Sequence, residues 1–275
     1  MPSDREVVER IATEHLPVEH REAWLDLLRP AVRLVPAEPG DPVVARLGGS
    51  LDLSPGVAWP EWPGHGSLAP VGEIDCAALT AFPLDLDLPT SGRLLLFYVG
   101  DNGDPDDLVG PWDPSSLAGA RLLHDPSPVT PGASDGAVQL TGVSVVTAPG
   151  YDHPDLRRRF DPSGVDEAWD AHPVCSDDLD EALWERHEGP AHQVGGYAAP
   201  DQGPVEAEVA HAALGNPDWS DPALTTEADR WQLLVQIDSD DHMTWGDAGK
   251  LYWLGRTDDH GHTGIDQVSF TWQCS

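Results

Sequence analysis

The chain opens with two stretches in which apolar residues recur at helical spacing. Ser3-Asp-Arg-Glu6 is a capping box, and the apolar positions after it predict an amphipathic helix over residues 3–16. A second helix is predicted from Val18 to Arg29, because its apolar residues share one face and Pro30 stops it. The two helices predict a helical hairpin within residues 1–32.

Short apolar runs separated by Pro, Gly and Asp dominate the rest of the chain and predict strands. The runs cover residues 43–47, 68–74, 94–99, 120–123 and 138–146, and later 231–237, 250–254 and 268–272. Helical periodicity returns over residues 165–171, 177–187 and 205–214. We therefore predict an α+β fold that is mostly β, with an N-terminal helical hairpin.

Three short elements occur in the same order in both parts of the chain. Gly48-Gly49, Gly72-Glu-Ile-Asp75 and Gly92-Arg-Leu-Leu-Leu96 are echoed by Gly195-Gly196, Val235-Gln-Ile-Asp238 and Gly249-Lys-Leu-Tyr-Trp253. This order predicts two β-rich pseudo-repeats in one domain spanning residues 1–275. The predicted parts are a first β unit (43–148), a helical insertion (149–190) and a second β unit (191–275).

The proposed repeat also predicts a ligand-binding cleft. It places Glu73 and Asp75 where Gln236 and Asp238 stand in the second unit. Ligand sites tend to lie in clefts between packed units. We therefore predict that the four side chains line one cleft.

An acidic segment joins two of the later predicted strands. Its carboxylates are Asp238, Asp240, Asp241 and Asp247. Calcium and magnesium prefer such oxygen ligands, so a divalent-cation site is one hypothesis. His242 and Met243 stand where an EF-hand needs Asp or Asn and then Gly, so that template fails. The favoured alternative is that the carboxylates cap local turns, with Trp245 packed in the core rather than stacked on a ligand.

Two other segments are candidates for chemistry. Trp59 and Trp62, each followed by proline, form either a platform for sugars or peptides or a rigid loop packed on the core. The presence of eleven tryptophans in the chain favours packing. Gly132-Ala-Ser-Asp-Gly136 matches the spacing of a nucleophile elbow, but Pro131 precedes it and a β-like run follows, so we predict no catalytic residue there.

Charge and cysteine content narrow the class of protein. A formal net charge of -33 repels phosphates and anionic lipids, so we predict neither a nucleic-acid nor a membrane partner. The acidic surface serves either solubility or a basic partner protein, and solubility is favoured. Three separated cysteines, Cys76, Cys175 and Cys274, predict free thiols. With no long apolar run, the sequence predicts a soluble, cytoplasmic protein.

Short motifs spread from Arg46 to the C-terminal end occur in a fixed order. They are Arg46-Leu-Gly-Gly-Ser50, Ala58-Trp-Pro60, Pro70-Val-Gly-Glu-Ile-Asp75, Gly92-Arg-Leu-Leu-Leu-Phe-Tyr98, His192-Gln-Val-Gly-Gly-Tyr197, the acidic segment and Thr271-Trp-Gln-Cys-Ser275. In this order they resemble the YwqG-like family of bacterial proteins, a domain of unknown function. The resemblance implies a soluble, single-domain bacterial protein and carries over no catalytic residue.

Three functions are compatible with these observations. We favour a non-catalytic binding or protein-interaction module with an acidic surface. The first alternative is a metal-dependent hydrolase or calcium-binding protein that uses Asp238, Asp240 and Asp247, with Glu73 or Asp75 as general base. The second alternative is a small-ligand or peptide binder that uses Trp59 and Trp62.

Overall fold

The predicted N-terminal helical hairpin is present in the computed structural model, which describes residues 2–100, 108–128, 136–162 and 168–274. Helix α1 (Asp4–His15) begins at the predicted capping box. The Glu6 N–H donates to Ser3 Oγ (3.3 Å), and the Ser3 N–H donates to Glu6 Oε2 (2.6 Å). Helix α2 (Val18–Leu25) follows.

The predicted end of the second helix was wrong. Helix α2 ends at Leu25, and strand β1 (Arg29–Pro36) begins where the helix was expected to stop. Pro30 lies in this strand opposite Val146. Residues 29–36 pair with strands on both sides, and this pairing outweighs the local helical pattern.

The other predicted strands are present. The strands after β1 are β2 (Ala45–Leu47), β3 (Glu61–Trp62), β4 (Gly66–Ser67), β5 (Ala69–Asp75), β6 (Arg93–Tyr98), β7 (Ala120–Asp125), β8 (Val138–Thr147), β9 (Gln193–Gly195), β10 (Trp231–Asp238), β11 (Lys250–Thr257) and β12 (Thr263–Gln273). Of these, β3, β4 and the short β9 had not been predicted.

Further helices lie between the strands. They are α3 (Cys76–Leu79), α4 (Pro154–Phe160), α5 (Asp177–Glu185), α6 (Val205–Ala213) and α7 (Ala223–Ala228), with 3-10 turns at Ser116–Gly119, Trp169–Ala171 and Pro173–Cys175. Helices α5 and α6 had been predicted, whereas α3, α4 and α7 had not. The expected helix at 165–171 falls partly outside the described residues, and its described part is a 3-10 turn. The Ser134 elbow motif also lies outside them.

Ten strands form one nearly closed antiparallel sheet. Their order is β12-β11-β10-β9-β1-β8-β2-β5-β6-β7, and the edge strands β12 and β7 contact each other. Strands β3 and β4 form a separate pair. The prediction of a mostly β fold with helices is therefore confirmed.

The two faces of the sheet differ in the part formed by β9 to β12. Val194, Val235, Ile237, Leu251 and Trp253 belong to the main apolar core. Successive side chains of a strand point to opposite faces, and on the outer face Leu233, Tyr252 and Leu254 belong to a second apolar cluster with α6 and α7. Beside this cluster the outer face carries buried polar side chains, namely Gln193, Gln236, Lys250, Thr271 and Gln273.

Two backbone features recur at both ends of the sheet. The paired glycines after β2 have φ values of 69° and 72°, and those after β9 have 71° and 72°, a region that favours glycine. The β5–β6 ladder has a bulge between Pro70 and Gly72, and the β10–β11 ladder has one between Leu233 and Val235.

Candidate functional site

The acidic segment between β10 and β11 is held by hydrogen bonds to its own and neighbouring backbone. Asp238 accepts the N–H groups of Ala191 (2.7 Å) and Ser239 (2.8 Å). Asp240 Oδ1 accepts the N–H groups two and three residues further on, both at 2.7 Å. These contacts are those of turn-capping carboxylates.

The structure does not assemble the predicted calcium or magnesium site. Within the described parts of the chain, no group of three or more His, Cys, Asp and Glu side chains is placed to hold a metal ion. Asp241 and Asp247 are exposed, while Asp238 and Asp240 direct oxygens to backbone amides. A divalent cation at this loop, and hydrolysis through it, gain no support from these contacts.

His192 holds the acidic segment through contacts with Asp238 and Asp240. Its Nδ1 accepts the Asp238 N–H (3.1 Å), and its Nε2 lies 3.4 Å from Asp240 Oδ2. Burial lowers the pKa of His192, although Asp240 and Asp238 oppose this shift. A neutral ring with its proton on Nε2 satisfies both contacts.

Glu73 lies in a closed, buried ion cluster of the part of the sheet formed by β2, β5, β6 and β7, here called the first half; β9 to β12 are the second half. Its two carboxylate oxygens accept from Arg46 Nη1 (3.0 Å) and Arg93 Nη1 (2.7 Å). Arg93 Nη2 also donates to Asp125 (2.9 Å), whose side chain is fully buried. The opposite charges of this cluster are paired with one another and leave little room for a ligand.

The Asp125 carboxyl is held in its charged form. Burial acts to raise its pKa, but hydrogen bonds from Ser54, Ser127 and Arg93 outweigh burial, so the pKa lies below its ordinary value. The Ser54 hydroxyl donates to Asp125 Oδ1 at 2.5 Å. Asp125 is therefore charged at neutral pH.

The predicted common cleft does not form. Strands β9, β1, β8 and β2 separate β5 from β10 in the sheet. Glu73 is bound by arginines, and Asp75 caps α3 through the N–H groups of Ala77 and Ala78. Gln236 and Asp238 contact other parts of the chain. The prediction that these four residues share one cleft is therefore wrong, because four strands of the same sheet lie between β5 and β10.

Three buried glutamines hold the outer layer of the second half in place. Gln236 accepts the Ala199 N–H (2.9 Å) and donates to the Ala191 carbonyl (2.6 Å). Gln193 donates to the Gly195 and Tyr197 carbonyls at 2.7 and 2.9 Å. Gln273 accepts the N–H groups of residues 201 and 202 at 2.8 and 3.0 Å. Gln236, predicted to bind ligand, is fully buried and positions the surrounding segments instead.

The predicted tryptophan platform is packed against the protein. The Trp59 indole N–H donates to the Leu68 carbonyl (2.9 Å), and its ring meets Phe97 edge-on. Trp62 is 8% exposed and stacks on His65 at 3.7 Å. These contacts favour the packing alternative.

Trp245 also has contacts within the protein. Its indole N–H donates to the Asp238 carbonyl at 3.2 Å, and its ring lies edge-on to Tyr98. It packs against the main core. These contacts support the core role that was favoured for it.

A cavity of about 670 Å³ lies beside the glutamine-held segments. Its lining comes from β1, β8, β9, β11 and α5 and from residues 150–152 and 198–203. Lys250, the only lysine of the sequence, is 5% exposed in its wall and forms an ion pair with Asp201. Trp184 and Tyr151, 61% and 50% exposed, are aromatic lining residues. The volume falls in the range typical of ligand sites.

Further charged groups line this cavity. Arg186 is committed to Asp4 (2.7 Å) and to the Val146 carbonyl (2.8 Å). Burial, reinforced by Arg186, lowers the pKa of His187 to about 4, so its ring is neutral at pH 7. Burial also lowers the pKa of Arg33, which remains far above neutrality for any arginine.

The cavity was not predicted from the sequence. One signal was present, since a single lysine in a chain rich in arginine stands at the start of a strand-like run. Its burial and its partner Asp201 depend on segments that are distant in sequence.

The family comparison agrees with the expected class. The architecture is a nearly closed antiparallel sheet with buried polar side chains on the outer face of its second half. The chain belongs to the family described as "Domain of unknown function (DUF1963)", whose model matches residues 45–274. No curated protein matches the chain.

Helices of the described residues are short or polar. None of them is long and apolar enough to cross a membrane. Cys76, Cys175 and Cys274 are free thiols, as predicted.

Proposed function

We propose that the two ends of the sheet are pseudo-repeats, one containing β2, β5, β6 and β7 and the other β9, β10, β11 and β12. Read inward from each edge of the sheet, corresponding strands follow in the same order. Glu73 faces Arg46 across β2 and β5, and Gln236 faces Gln193 across β9 and β10. The recurrent glycine pairs and bulges add support.

The register extends this correspondence to the neighbouring strands. Arg93 faces Asp125 across β6 and β7, and Lys250 faces Gln273 across β11 and β12. Gly92 and Gly249 precede these positions, and a Cβ on either would collide with the carbonyl oxygen of Asp125 or Gln273, respectively. Arg93 and Lys250 therefore hold equivalent places.

On this basis the protein is a non-catalytic binding protein, and its ligand site is the cavity of the second half. The cavity itself carries the proposal, because its volume is about 670 Å³ and its wall contains Lys250, a buried side chain that is paired with Asp201. At the equivalent place of the first half, Arg93 is enclosed by Glu73 and Asp125. A ligand enters only where the buried polar side chains leave space.

Thermal unfolding against a chemically broad panel tests the binding function. The panel contains amino acids, short peptides, sugars, nucleosides and organic acids at millimolar concentration. A ligand that binds only the native state raises the unfolding temperature by mass action, and we expect this from at least one class.

The Gly150→Leu variant supplies the control for the site. An added Cβ at Gly150 would meet only Asp152, at 3.7 Å, so leucine fills the cavity without a backbone clash. Ligands that stabilise the wild type should no longer stabilise Gly150→Leu. They should still stabilise Ala213→Leu, in which the substituted residue is exposed. An unresponsive wild type, or an undiminished response of Gly150→Leu, would contradict the proposal.

A basic partner protein is the second candidate. It is favoured by 48 acidic against 15 basic residues, and by the pairing of many arginines with carboxylates, as in the Arg158–Asp155 and Arg256–Glu227 pairs. A cytoplasmic location belongs to the same proposal and is supported by the free thiols. Salt-dependent capture of basic proteins from the cytoplasm of the source cell tests the partner, and capture unaffected by salt would contradict it.

A further inference from the structure

Arg33 and Asp152 are charged side chains of the cavity wall that form no direct ion pair with another described residue. Arg33 uses its Nη2 for the carbonyl oxygens of residues 188–190, at 2.9–3.2 Å. No carboxylate pairs with it in the described chain, and its Nε and Nη1 make no hydrogen bond there. Free guanidinium N–H groups form strong, charge-assisted hydrogen bonds with a carboxylate.

Asp152 is the second unpaired charge. It is half-buried, lines the cavity and forms no ion pair within the described residues. Burial raises the pKa of Asp152, and this effect outweighs the opposing charges of His153 and Arg157. A ligand ammonium beside this carboxylate would supply the missing partner.

The two groups belong to different walls of the cavity. Arg33 is bound to the segment 188–190, which leads to Ala191. Asp152 lies beside Gly203, where an added Cβ would come within 3.6 Å of Oδ2. Buried Gln236 bonds to Ala191 and Ala199 and so ties the two walls together. A ligand that joins them needs a negative and a positive group some distance apart.

We infer that the cavity binds a short peptide with free ends, its terminal carboxylate at Arg33 and its terminal ammonium at Asp152. This inference rests on the proposed binding function and specifies its ligand class. Trp184 and Tyr151 offer ring faces to an apolar or cationic side chain of the peptide. A cavity of about 670 Å³ lies within the volume range of small-ligand sites, which suits a short peptide.

Calorimetric titration with three forms of one tripeptide tests the inference. The probes are Ala-Ala-Phe with free ends, its N-acetyl form without the ammonium and its C-terminal amide without the carboxylate. Each lost charge-assisted contact should weaken binding about 10- to 100-fold. Arg33→Gln should weaken only peptides that keep the carboxylate, and Asp152→Asn only those that keep the ammonium.

The controls are Arg10→Gln and Glu14→Gln, two exposed residues of α1 outside the cavity, which should leave binding unchanged. Thermal unfolding of Arg33→Gln without ligand shows whether the variant is still folded. Arg33→Lys, which keeps the positive charge, is measured in the same way. Equal binding of the blocked and free peptides would overturn the ligand class while leaving the cavity a binding site. Failure of the free tripeptide to bind would also overturn the inference. Thermal unfolding of the wild type and of Gly150→Leu against the broad ligand panel would then test separately whether the cavity binds any ligand.

Discussion

In the proposed pseudo-repeat, the two halves of the sheet place polar groups at corresponding positions, and the contacts of these groups differ between the halves. In the first half, Glu73 and Asp125 enclose Arg93 in a buried ion cluster. In the second half, Gln236 binds backbone groups of the cavity walls, while Lys250 stands in the cavity wall. The paired charges of the first half leave little space for a ligand, whereas the glutamine amides of the second half hold the segments that border an open cavity. The comparison locates the candidate function in the second half.

Breaking the ion cluster of the first half should have the largest effect. Glu73→Gln introduces the residue that stands at the equivalent place of the second half. It leaves two buried arginines with one carboxylate fewer, and we expect a loss of about 3–5 kcal/mol in the free energy of unfolding. Denaturant unfolding measures it, with exposed Glu14→Gln as a control that should change stability by less than about 0.5 kcal/mol. A loss no larger than that of the control would show that the cluster is not a closed unit.

The halves should lose stability in different pH windows. The folded-state pKa of His187 is about 4 against an ordinary 6.5, so only the unfolded chain takes up this proton between those values. Stability present above pH 6.5 is then lost as the pH falls to 4, by at most about 3 kcal/mol. The pKa of Asp125 is also lowered, from 3.8, so its contribution is lost only as the pH falls below that value.

Denaturant unfolding between pH 7 and pH 3 separates these windows. In the His187→Gln variant, the free energy of unfolding should change less between pH 6.5 and 4, while its loss below pH 3.8 should remain. An unchanged slope between pH 6.5 and 4 in His187→Gln would contradict the assignment.

Two glutamines of β10 offer a matched pair that sharpens the account of the second half. Gln236→Leu leaves a backbone N–H and a carbonyl unpaired, and we expect a loss of about 2 kcal/mol. Gln232 is also buried, but its Nε2 has no hydrogen-bond partner within the described chain, so Gln232→Leu should be nearly neutral. Denaturant unfolding of both variants measures the difference, and equal losses would contradict the anchoring role of Gln236.

Among the variants that remove a hydrogen-bonded or ion-paired side chain, Lys250→Met should have the smallest effect on stability. In Lys250→Met, the remaining carboxylate of Asp201 is 24% exposed and regains water, so we expect a loss of about 1 kcal/mol. Arg93→Met should cost more, because it removes the ion-pair partner of buried Asp125 and one of the two arginines paired with buried Glu73. Equal losses in denaturant unfolding would erase the contrast between the halves.

Local patterns predicted much of the fold. Alternation and turn residues predicted β5, β6, β10 and β11, and the capping box predicted the start of α1. Strand β1 was missed because Arg29 and Pro30 indicated only the end of a helix, whereas pairing with β8 and β9 makes residues 29–36 a strand. The three-residue strand β9 is too short to leave a periodic signal.

The candidate site was less predictable than the fold. Asp240 is adjacent in sequence to the amides it caps, so its turn role was foreseeable. Arg33 and Asp152, in contrast, are distinguished by the lack of a direct ion pair within the described residues. No local sequence pattern shows whether a charged side chain has such a partner. The sequence suggested that Glu73 corresponds to Gln236 in a repeat, but it did not show that four strands separate β5 from β10.

Mapping backbone amide shifts of the ¹⁵N-labelled protein during titration with Ala-Ala-Phe tests the central claim most directly. The account predicts shifts concentrated at residues 150–152, 188–203 and 250, which line the cavity or its walls, and unchanged signals at Arg46, Glu73 and Arg93. Shifts centred on the first half, or no shifts at millimolar peptide, would contradict it.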